Sequence, residues 1–413
     1  MNEQLRADAE AIVRAAIEAV SPARAVQKAL QNRTFPGKVY LVAAGKAAWE
    51  MARAALEVLE TPVAAGIVVT KYHHVKHPLP GILCREAGHP VPDENSFSAA
   101  AEVLEMTRGL AESDTVLFLL SGGASALFEL PLVSGEELQD ITGQLLACGA
   151  DITEINTIRK RLSAVKGGRF ALHCAPARVE TIVLSDILGD PLDQIASGPT
   201  VADATSCAQA AAIAEKYQLR LSPAARACLE KETPKSLPNA TAQIIGSVGQ
   251  LCQAAAEACR QKGYRPLLLT DRLDCEAREA GRFLASIART QAAVCSGQKL
   301  ALLAGGETVV HLRGKGLGGR NQELALAAAA GLDSLAGAAV ISVGSDGTDG
   351  PTDAAGGYVD GDTLAALAAK GWNADAALAD NDAYHALQAV DGLIITGPTG
   401  TNVNDVAVAL VQG

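Results

Sequence analysis

The sequence is poor in aromatic residues and lacks the short motifs that most often identify a nucleotide-binding protein. Phe, Trp and Tyr make up 3% of the 413 residues, so any core must consist mainly of Ala, Leu, Val and Ile. No GK[ST] follows the spacing of a P-loop. The first predicted strand–helix turn has one glycine, whereas a dinucleotide fingerprint needs three. Any nucleotide is therefore expected to bind in a less common way.

The cysteines and the apolar segments exclude several other classes. The nine cysteines are an odd number and contain no CxxC pair, which predicts reduced thiols in a cytosolic protein. No apolar stretch is long enough to span a bilayer. Acidic residues interrupt the helix-like pattern of the first 20 residues, so no signal peptide is predicted. We therefore expect a cytoplasmic protein without a membrane partner.

The charge balance disfavours nucleic acid as a partner. The formal net charge is −11 and the sequence pI is about 5.2. An acidic protein that binds an anionic ligand must concentrate its few cations at one place. Lys46, Lys166 and Arg320 are of interest for this reason, since each lies beside glycines.

Short apolar, β-branched segments alternate with alanine-rich segments of helical period. This alternation predicts an α/β protein with largely parallel sheets flanked by helices. The predicted strands are 39–42, 66–70, 115–120, 181–184, 243–245, 266–269, 300–303, 340–343 and 393–395, and the predicted helices include 46–59, 99–109, 249–262, 276–293 and 323–331. The polar segment 231–239 contains two prolines and predicts a boundary between domains of residues 1–236 and 239–413.

The unusual residues follow the predicted strands at their carboxyl ends. Gly45-Lys46 follows 39–42, SGGAS at 121–125 follows 115–120, and SDILGD at 185–190 follows 181–184. In the second half, GGE at 305–307 and GSD at 344–346 follow strands in the same way. Ligands bind at this edge of open α/β sheets, so a cleft between the two domains is the expected site.

The segment SGGAS and Lys46 are the first candidates for phosphate binding. SGGAS ends a strand and is expected to open a short helix at 124–127, where free amides and two hydroxyls favour an anion. The alternative is a tight turn with Ser121 as the cap. Lys46 begins a helix, an end that disfavours a cation. This conflict favours contact with a phosphate or a substrate carboxylate over a solvated surface position.

Carboxylates and one arginine supply the remaining candidates. Asp186 and Asp190 flank a short turn and are expected to hold Mg²⁺, or Asp186 accepts the proton of a substrate hydroxyl. Arg320 lies in a glycine-rich loop that suits bidentate binding of phosphate or carboxylate. Asp346 is a further candidate ligand, although turn chemistry also explains such aspartates. Lys166 precedes Gly167-Gly168, the alternative being a solvated helix face.

The ordered set of motifs resembles the glycerate 2-kinases of the MOFRL type, some of which are labelled hydroxypyruvate reductases. The resemblance runs over nearly the whole chain. The segments that carry it are GKA at 45–47, GHPVPD at 88–93, SGGAS at 121–125, KGGR at 166–169, LSD at 184–186, GD at 189–190, SGPT at 197–200, and the C-terminal blocks from GGET at 305–308 through TGTNV at 399–403.

The resemblance implies a Rossmann-like N-terminal domain and a smaller α/β C-terminal MOFRL domain. It implies transfer of the γ-phosphoryl group of ATP to the 2-hydroxyl of D-glycerate, with Mg²⁺, giving 2-phosphoglycerate. The family's active-site lysine and arginine fall on Lys46 and Arg320. The expected site residues are Lys46, Asp186 and Arg320 for catalysis; Ser121, Gly122, Gly123, Ser125, Lys166, Gly198, Glu307, Gly318, Gly319 and Asn321 for ATP or phosphate; Lys46, His89 and Arg320 for substrate; and Asp186, Asp190 and Asp346 for metal.

Two other functions remain as alternatives. A hydroxypyruvate reductase would need a nicotinamide site, and the missing GxGxxG argues against one. A sensor of phosphorylated metabolites would explain the glycines and cations but not the many carboxylates. Phosphoryl transfer by positioning and charge neutralisation is therefore the preferred hypothesis, with the quaternary state, including a homodimer, left open.

Overall fold

A computed structural model describes residues 2–294 and 297–413 of the chain. These residues form two compact units. The N-terminal unit comprises Pro22–Ser185 and Asp190–Ile245, and the C-terminal unit comprises residues 2–21, Asp186–Gly189 and Gly246–Gly413. In the described part of the chain, no helix has both the length and the apolar character needed to cross a membrane.

The elements of each unit have the following bounds. In the N-terminal unit they are Pro22–Leu30 (α2), Val39–Ala44 (β1), Ala48–Val58 (α3), Val63–Lys71 (β2), Ile82–Ala87 (β3), Glu94–Met106 (α4), Thr115–Leu120 (β4), Ala124–Leu127 (α5), Gly135–Ala147 (α6), Ile152–Arg161 (α7), Arg169–Cys174 (α8), Arg178–Leu184 (β5), the 3₁₀ turn Ile195–Ser197, Cys207–Lys216 (α9), Pro223–Leu229 (α10) and Ala240–Gly246 (β6). In the C-terminal unit they are Glu3–Ala19 (α1), Val248–Gln261 (α11), Arg265–Leu273 (β7), Ala277–Val294 (α12), Lys299–Gly306 (β8), Arg320–Leu332 (α13), Ala338–Gly344 (β9), Gly356–Asp360 (β10), Thr363–Ala369 (α14), Ala374–Ala379 (α15), Ala383–Ala389 (α16), Leu393–Ile394 (β11) and Asp405–Gln412 (β12).

The sheet of the N-terminal unit has the strand order β3-β2-β1-β4-β5-β6. Its pairs β2–β3, β1–β2, β1–β4 and β4–β5 are parallel, as the sequence predicts. Strand β4 is buried along its whole length, because both of its faces are covered. Leu117 and Leu119 pack in the core that α2 and α3 share, whereas Phe118 packs against Phe128 and Phe170. This is the strand order of dinucleotide-binding folds. In these folds the order of the strands along the sheet reverses between the first and fourth strands, while their direction stays parallel.

The sheet of the C-terminal unit has the order β11-β10-β9-β12-β8-β7 and is mixed. Strand β7 is parallel to β8, whereas β12 is antiparallel to β8 and β9, and β10 is antiparallel to β9 and β11. Strands β7, β8 and β9 therefore share one direction, and the motifs after β8 and β9 leave the same edge. The α/β class is confirmed, but β10 and β12, which the sequence pattern did not predict, give this sheet its antiparallel pairs.

The two faces of this second sheet bury alternate residues of each strand. Along β8, Leu300 and Leu302 face the core formed with α12 and α13, while Ala301 and Leu303 face the core formed with α1 and α11. Strand β12 alternates in the same way. Apolar side chains therefore fill both faces, which explains why the strands read as uninterrupted apolar runs.

Helix α1 belongs to the C-terminal unit although it lies at the start of the sequence. Its buried face includes Leu5, Ile12 and Val13, which share a core with Leu251 of α11 and with β12. The N-terminal unit, in turn, continues through β6, which adds a strand to the first sheet. The compact units are therefore discontinuous in sequence, and the boundary expected at residues 236–239 stays a prediction.

Replacing Ile12 by alanine tests the contribution of α1 to the C-terminal unit. Ile12 is fully buried, and removing its methyl groups is expected to lower the free energy of unfolding by about 2–5 kcal/mol. The exposed Arg14 lies on the same helix, and Arg14→Ala is expected to change stability by less than about 0.5 kcal/mol. Urea unfolding followed by circular dichroism measures both. Equal stability of the two variants would contradict the assigned packing of α1.

Candidate active site

The turns that follow β1 and β4 lie side by side at the point where the strand order reverses. Ala44 and Leu120, the last residues of the two strands, are partners in the parallel register. Ligands of open α/β sheets bind at this point, outside the carboxyl ends of the strands. Lys46 and the SGGAS segment are therefore neighbours in space.

The two turns are joined through their backbones. The amide of Lys46 donates to the carbonyl of Gly122 at 2.9 Å, and the amide of Ala47 donates to Oγ of Ser121 at 3.1 Å. A side chain on Gly45 would begin 2.2 Å from Oγ of Ser121, and Gly45 has a φ of +124°, so only glycine fits there. The hydroxyl of Ser121 thus caps the neighbouring turn, and the expected phosphate contact stays a prediction.

Lys46 and His89 converge on Gly123. A Cβ built on Gly123 would lie 3.0 Å from Cδ2 of His89 and 3.2 Å from Cγ of Lys46. Gly123 has a φ of +87° and precedes α5, which has no side-chain cap at its N-terminus. Glycine therefore leaves a small space that a lysine, an imidazole and a backbone turn share.

Burial and neighbouring basic side chains affect the titration of His89. Burial of the ring lowers the pKa of His89, and Lys46, Lys71 and His74 lower it further. A neutral imidazole can accept a hydrogen bond, which a charged one cannot. Nδ1 of His74 also lies 3.1 Å from the carbonyl oxygen of Lys46.

Lys166 is buried and holds the far end of α5. Its ammonium group donates to the carbonyls of Ser125 and Phe128 at 2.9 and 3.0 Å, and it lies 3.3 Å from the carboxylate of Glu129. Arg159 donates to the same carbonyl of Ser125 at 3.2 Å. Burial lowers the pKa of Lys166 to about 8. These contacts give Lys166 an anchoring position beneath the SGGAS turn, and direct contact with a phosphate stays a prediction.

The backbone of Gly198 is also hydrogen-bonded within the protein. Its carbonyl accepts from the amide of Gly168 at 2.7 Å, and the carbonyl of Ser197 accepts from Gly167 at 3.0 Å. The KGG and SGPT motifs are therefore paired, buried segments, a relation that the sequence could not reveal because about 30 residues separate them.

In the C-terminal unit, Arg320 lies between two carboxylates. Its Nε and Nη2 donate to Asp405 at 2.5 and 3.0 Å, and its Nη1 donates to Glu307 at 2.9 Å. Burial would lower the pKa of Arg320, but Asp405 and Glu307 outweigh this and raise it, so the guanidinium is charged. Sequence reasoning missed Asp405; the signal available was a single acid directly before the apolar run 406–411.

Asn321 and the glycines before it form the start of α13. Gly318 and Gly319 form the turn, and the backbone amides of Asn321 and Gln322 donate to Asp349 at 3.1 and 2.8 Å. Burial raises the pKa of Asp349 to about 6, against the lowering effect of these amides. The side chain of Asn321 is 2% exposed, so its partners are inside the protein.

The three predicted metal ligands have different surroundings. Oδ1 of Asp346 accepts from the amide of Thr348 at 3.0 Å, a turn contact. Asp186 belongs to the C-terminal unit, where its carbonyl accepts from Asn404, and Asp190 belongs to the N-terminal unit. Oδ1 of Asp190 is buried and has no hydrogen-bond partner within the described residues. Among residues 2–294 and 297–413, no three His, Cys, Asp or Glu side chains are grouped as ligands of one metal ion.

The charge of Lys46 is expected to control the titration of His89. In Lys46→Met the pKa of His89 rises, because one of the positive groups that lower it is removed. Lys38 lies before β1, at the opposite end of the strand, and Lys38→Met is expected to leave this pKa unchanged. Titration of the imidazole resonances by NMR compares the two. An unchanged pKa in Lys46→Met would show that the two side chains do not approach each other.

Removing only one charge of the buried Lys166–Glu129 pair is expected to destabilise the protein more than removing both. Lys166→Met leaves Glu129 buried without its ammonium partner and should lower the free energy of unfolding by about 3–5 kcal/mol. The double variant Lys166→Met with Glu129→Gln removes both charges and should lose clearly less. Urea unfolding measures the difference. A double variant that is less stable than Lys166→Met would argue against the pair.

Comparisons with known proteins identify the family of the chain. Residues 8–230 match the model of a domain described as one of unknown function (DUF4147), and residues 300–405 match the MOFRL family. The chain is 51% identical to a D-glycerate 2-kinase from Thermotoga maritima, with 99% of each chain covered, and 42% identical to a glycerate 2-kinase from Pyrococcus horikoshii, with 97% of this chain and 96% of that one covered. The crystal structure of a glycerate kinase from Thermotoga maritima matches with a TM-score of 0.96 at 50% identity, covering 99% of this chain and 100% of that one. The chain therefore belongs to the MOFRL-type glycerate 2-kinase family.

Proposed function

We propose that the protein transfers the γ-phosphoryl group of ATP to the 2-hydroxyl of D-glycerate, giving 2-phosphoglycerate and ADP. Family membership supports a kinase that acts on glycerate. The structural observation that carries the proposal is the convergence of Lys46 and His89 on Gly123, at the carboxyl edge of a parallel sheet. A cation, a neutral imidazole and a glycine turn suit a small substrate that bears both a carboxylate and a hydroxyl.

In this proposal the reaction is an in-line displacement at phosphorus. The 2-hydroxyl oxygen of glycerate bonds to the γ-phosphorus, and the bond from this phosphorus to the β,γ-bridging oxygen breaks. ADP leaves with the electron pair, and Asp186 accepts the hydroxyl proton. The protein's contribution is to position the two reactants and to neutralise the charge that spreads over the phosphoryl oxygens.

Each site residue has a proposed part in this step. Lys46 neutralises charge on the transferred group or the glycerate carboxylate, and Arg320 supplies the second positive charge. His89 accepts a hydrogen bond from the substrate as a neutral imidazole. The SGGAS turn, with Ser121 and Ser125, lies against the phosphates of ATP, together with the glycine turn at 318–319.

Mg²⁺ is proposed as the metal, and carboxylates are the ligands it prefers. Asp190 is the predicted ligand with a structural argument, because its buried Oδ1 has no hydrogen-bond partner in the described chain and a cation would satisfy it. When bound, the ion would neutralise charge on the phosphate oxygens.

We further propose that Lys46 and Arg320 act in the same catalytic cycle, although they belong to different units. Their positive charges would then be needed together in the transition state. A cytoplasmic location and a homodimer stay expectations from the sequence.

The first test is incubation of the purified protein with ATP, Mg²⁺ and D-glycerate, with the product identified by phosphorus NMR. A 2-phosphoglycerate signal is expected. A 3-phosphoglycerate signal would keep the kinase but exclude the proposed regiochemistry. Intact ATP, together with oxidation of NADH in the presence of hydroxypyruvate, would favour the reductase instead.

The second test assigns the cations. Lys46→Met and Arg320→Ala are each expected to lower kcat by roughly 100-fold or more, because each removes a charge that acts in the transition state. Lys76→Met is the matched control in the N-terminal unit, because the side chain of Lys76 is 69% exposed and pairs with Glu50. Near-normal turnover of a folded Lys46→Met protein would remove the role proposed for Lys46.

A further inference from the structure

Two carboxylates bind Arg320, and their geometry differs. Asp405 accepts two hydrogen bonds, from Nε and Nη2, which is the paired geometry of a strong arginine–carboxylate contact. Glu307 accepts one, from Nη1. The side chain of Asp405 is 9% exposed and that of Glu307 is 47% exposed. Asp405 is therefore the enclosed partner, and Glu307 is the partner that solvent and ligands can reach.

The backbone fixes Asp405 from both sides. It is the first residue of β12, a strand paired on one side with β8 and on the other with β9. Its partners in the two registers are Gly306 and Gly344, neither of which has a side chain that could displace the carboxylate. The position of the Asp405 carboxylate is thus set by the interior of the sheet and not by a loop.

Arg320 needs such a partner. It is the first residue of α13, and its long side chain has several rotatable bonds that would otherwise sample many orientations. Pairing the Nε and Nη2 edge with Asp405 fixes the plane of the guanidinium. The Nη1 end donates to Glu307, which is half-exposed. It is therefore the end of the guanidinium at which an anion can bind.

We propose that Asp405 positions Arg320 for catalysis by fixing the plane of its guanidinium. This inference rests on the proposed function, because it assumes that Arg320 binds an anionic group of the reactants. Asp405 does not touch the substrate in this proposal; it acts only through Arg320. An anionic reactant then replaces Glu307 at Nη1 while the two bonds to Asp405 persist.

The first experiment compares Asp405→Asn with a matched control. The asparagine side chain keeps the size of the aspartate but can no longer accept two charge-assisted hydrogen bonds, so kcat is expected to fall roughly 10- to 100-fold, with KM for ATP and D-glycerate changing less than kcat. Asp360 is another buried aspartate of the same sheet, at the opposite end of its strands, where it accepts from the amide of Asn2. Asp360→Asn is expected to affect stability but not kcat. Asp405→Glu, which retains the carboxylate, should recover part of the lost kcat.

The second experiment uses free guanidinium to separate positioning from folding. In Arg320→Ala, Asp405 and Glu307 still line the place of the missing guanidinium, so guanidinium ions well below denaturing concentrations should restore part of the turnover. In the double variant Arg320→Ala with Asp405→Asn this rescue should be lost. The comparison stays informative even if Asp405→Asn alone is unstable, because neither protein in it leaves the arginine unpaired.

The outcomes are distinct. Normal kcat in Asp405→Asn, equal rescue in both Arg320 variants, or no rescue in Arg320→Ala would each overturn the positioning role. A wild-type protein that forms no phosphoglycerate would overturn the proposed function itself, which the product assay shows before any variant is made. Wild-type turnover with unaffected Asp405 variants would overturn only the inference about Asp405.

Discussion

The direct bonding of the turns after β1 and β4 is the constraint on which the proposed site of the N-terminal unit depends. Neighbouring parallel strands end at the same edge of a sheet. In addition, the hydrogen bonds from Lys46 to Gly122 and from Ala47 to Ser121 hold the two turns in direct contact. A residue larger than glycine at position 45 would push them apart. The backbone of Lys46 and the glycine turn are consequently held in direct contact.

The protein is acidic, and the three cationic side chains that the sequence singles out have three different surroundings. Lys46 lies beside the open space at Gly123. Lys166 has no exposed surface and holds backbone carbonyls. Arg320 is held between one buried and one half-exposed carboxylate. Basic residues beside glycines therefore differ in burial. Their burial decides whether the charged group is accessible to a ligand.

The sequence predicts much of the fold and part of the site. The strands that precede Lys46, Ser121 and Glu307 could be predicted because an apolar run followed by glycine has few other interpretations. The partners of Lys166 could not be predicted, since a lysine before two glycines has the same pattern whether it is solvated or buried. Strand β12 escaped prediction, and with it Asp405, because a single acid before an apolar run carries no local signal of a partner 85 residues away.

Helix α1 has a consequence for how the chain is made. Its apolar face shares a core with Val406 and Leu410 of β12, so α1 leaves the ribosome long before one of the strands that it packs with. At translation rates of ~5–20 residues per second, roughly 20–80 s separate the two. Throughout that interval the whole N-terminal unit can emerge, while α1 still lacks the part of its core that β12 supplies. The core around α1 can therefore be completed only after β12 has emerged.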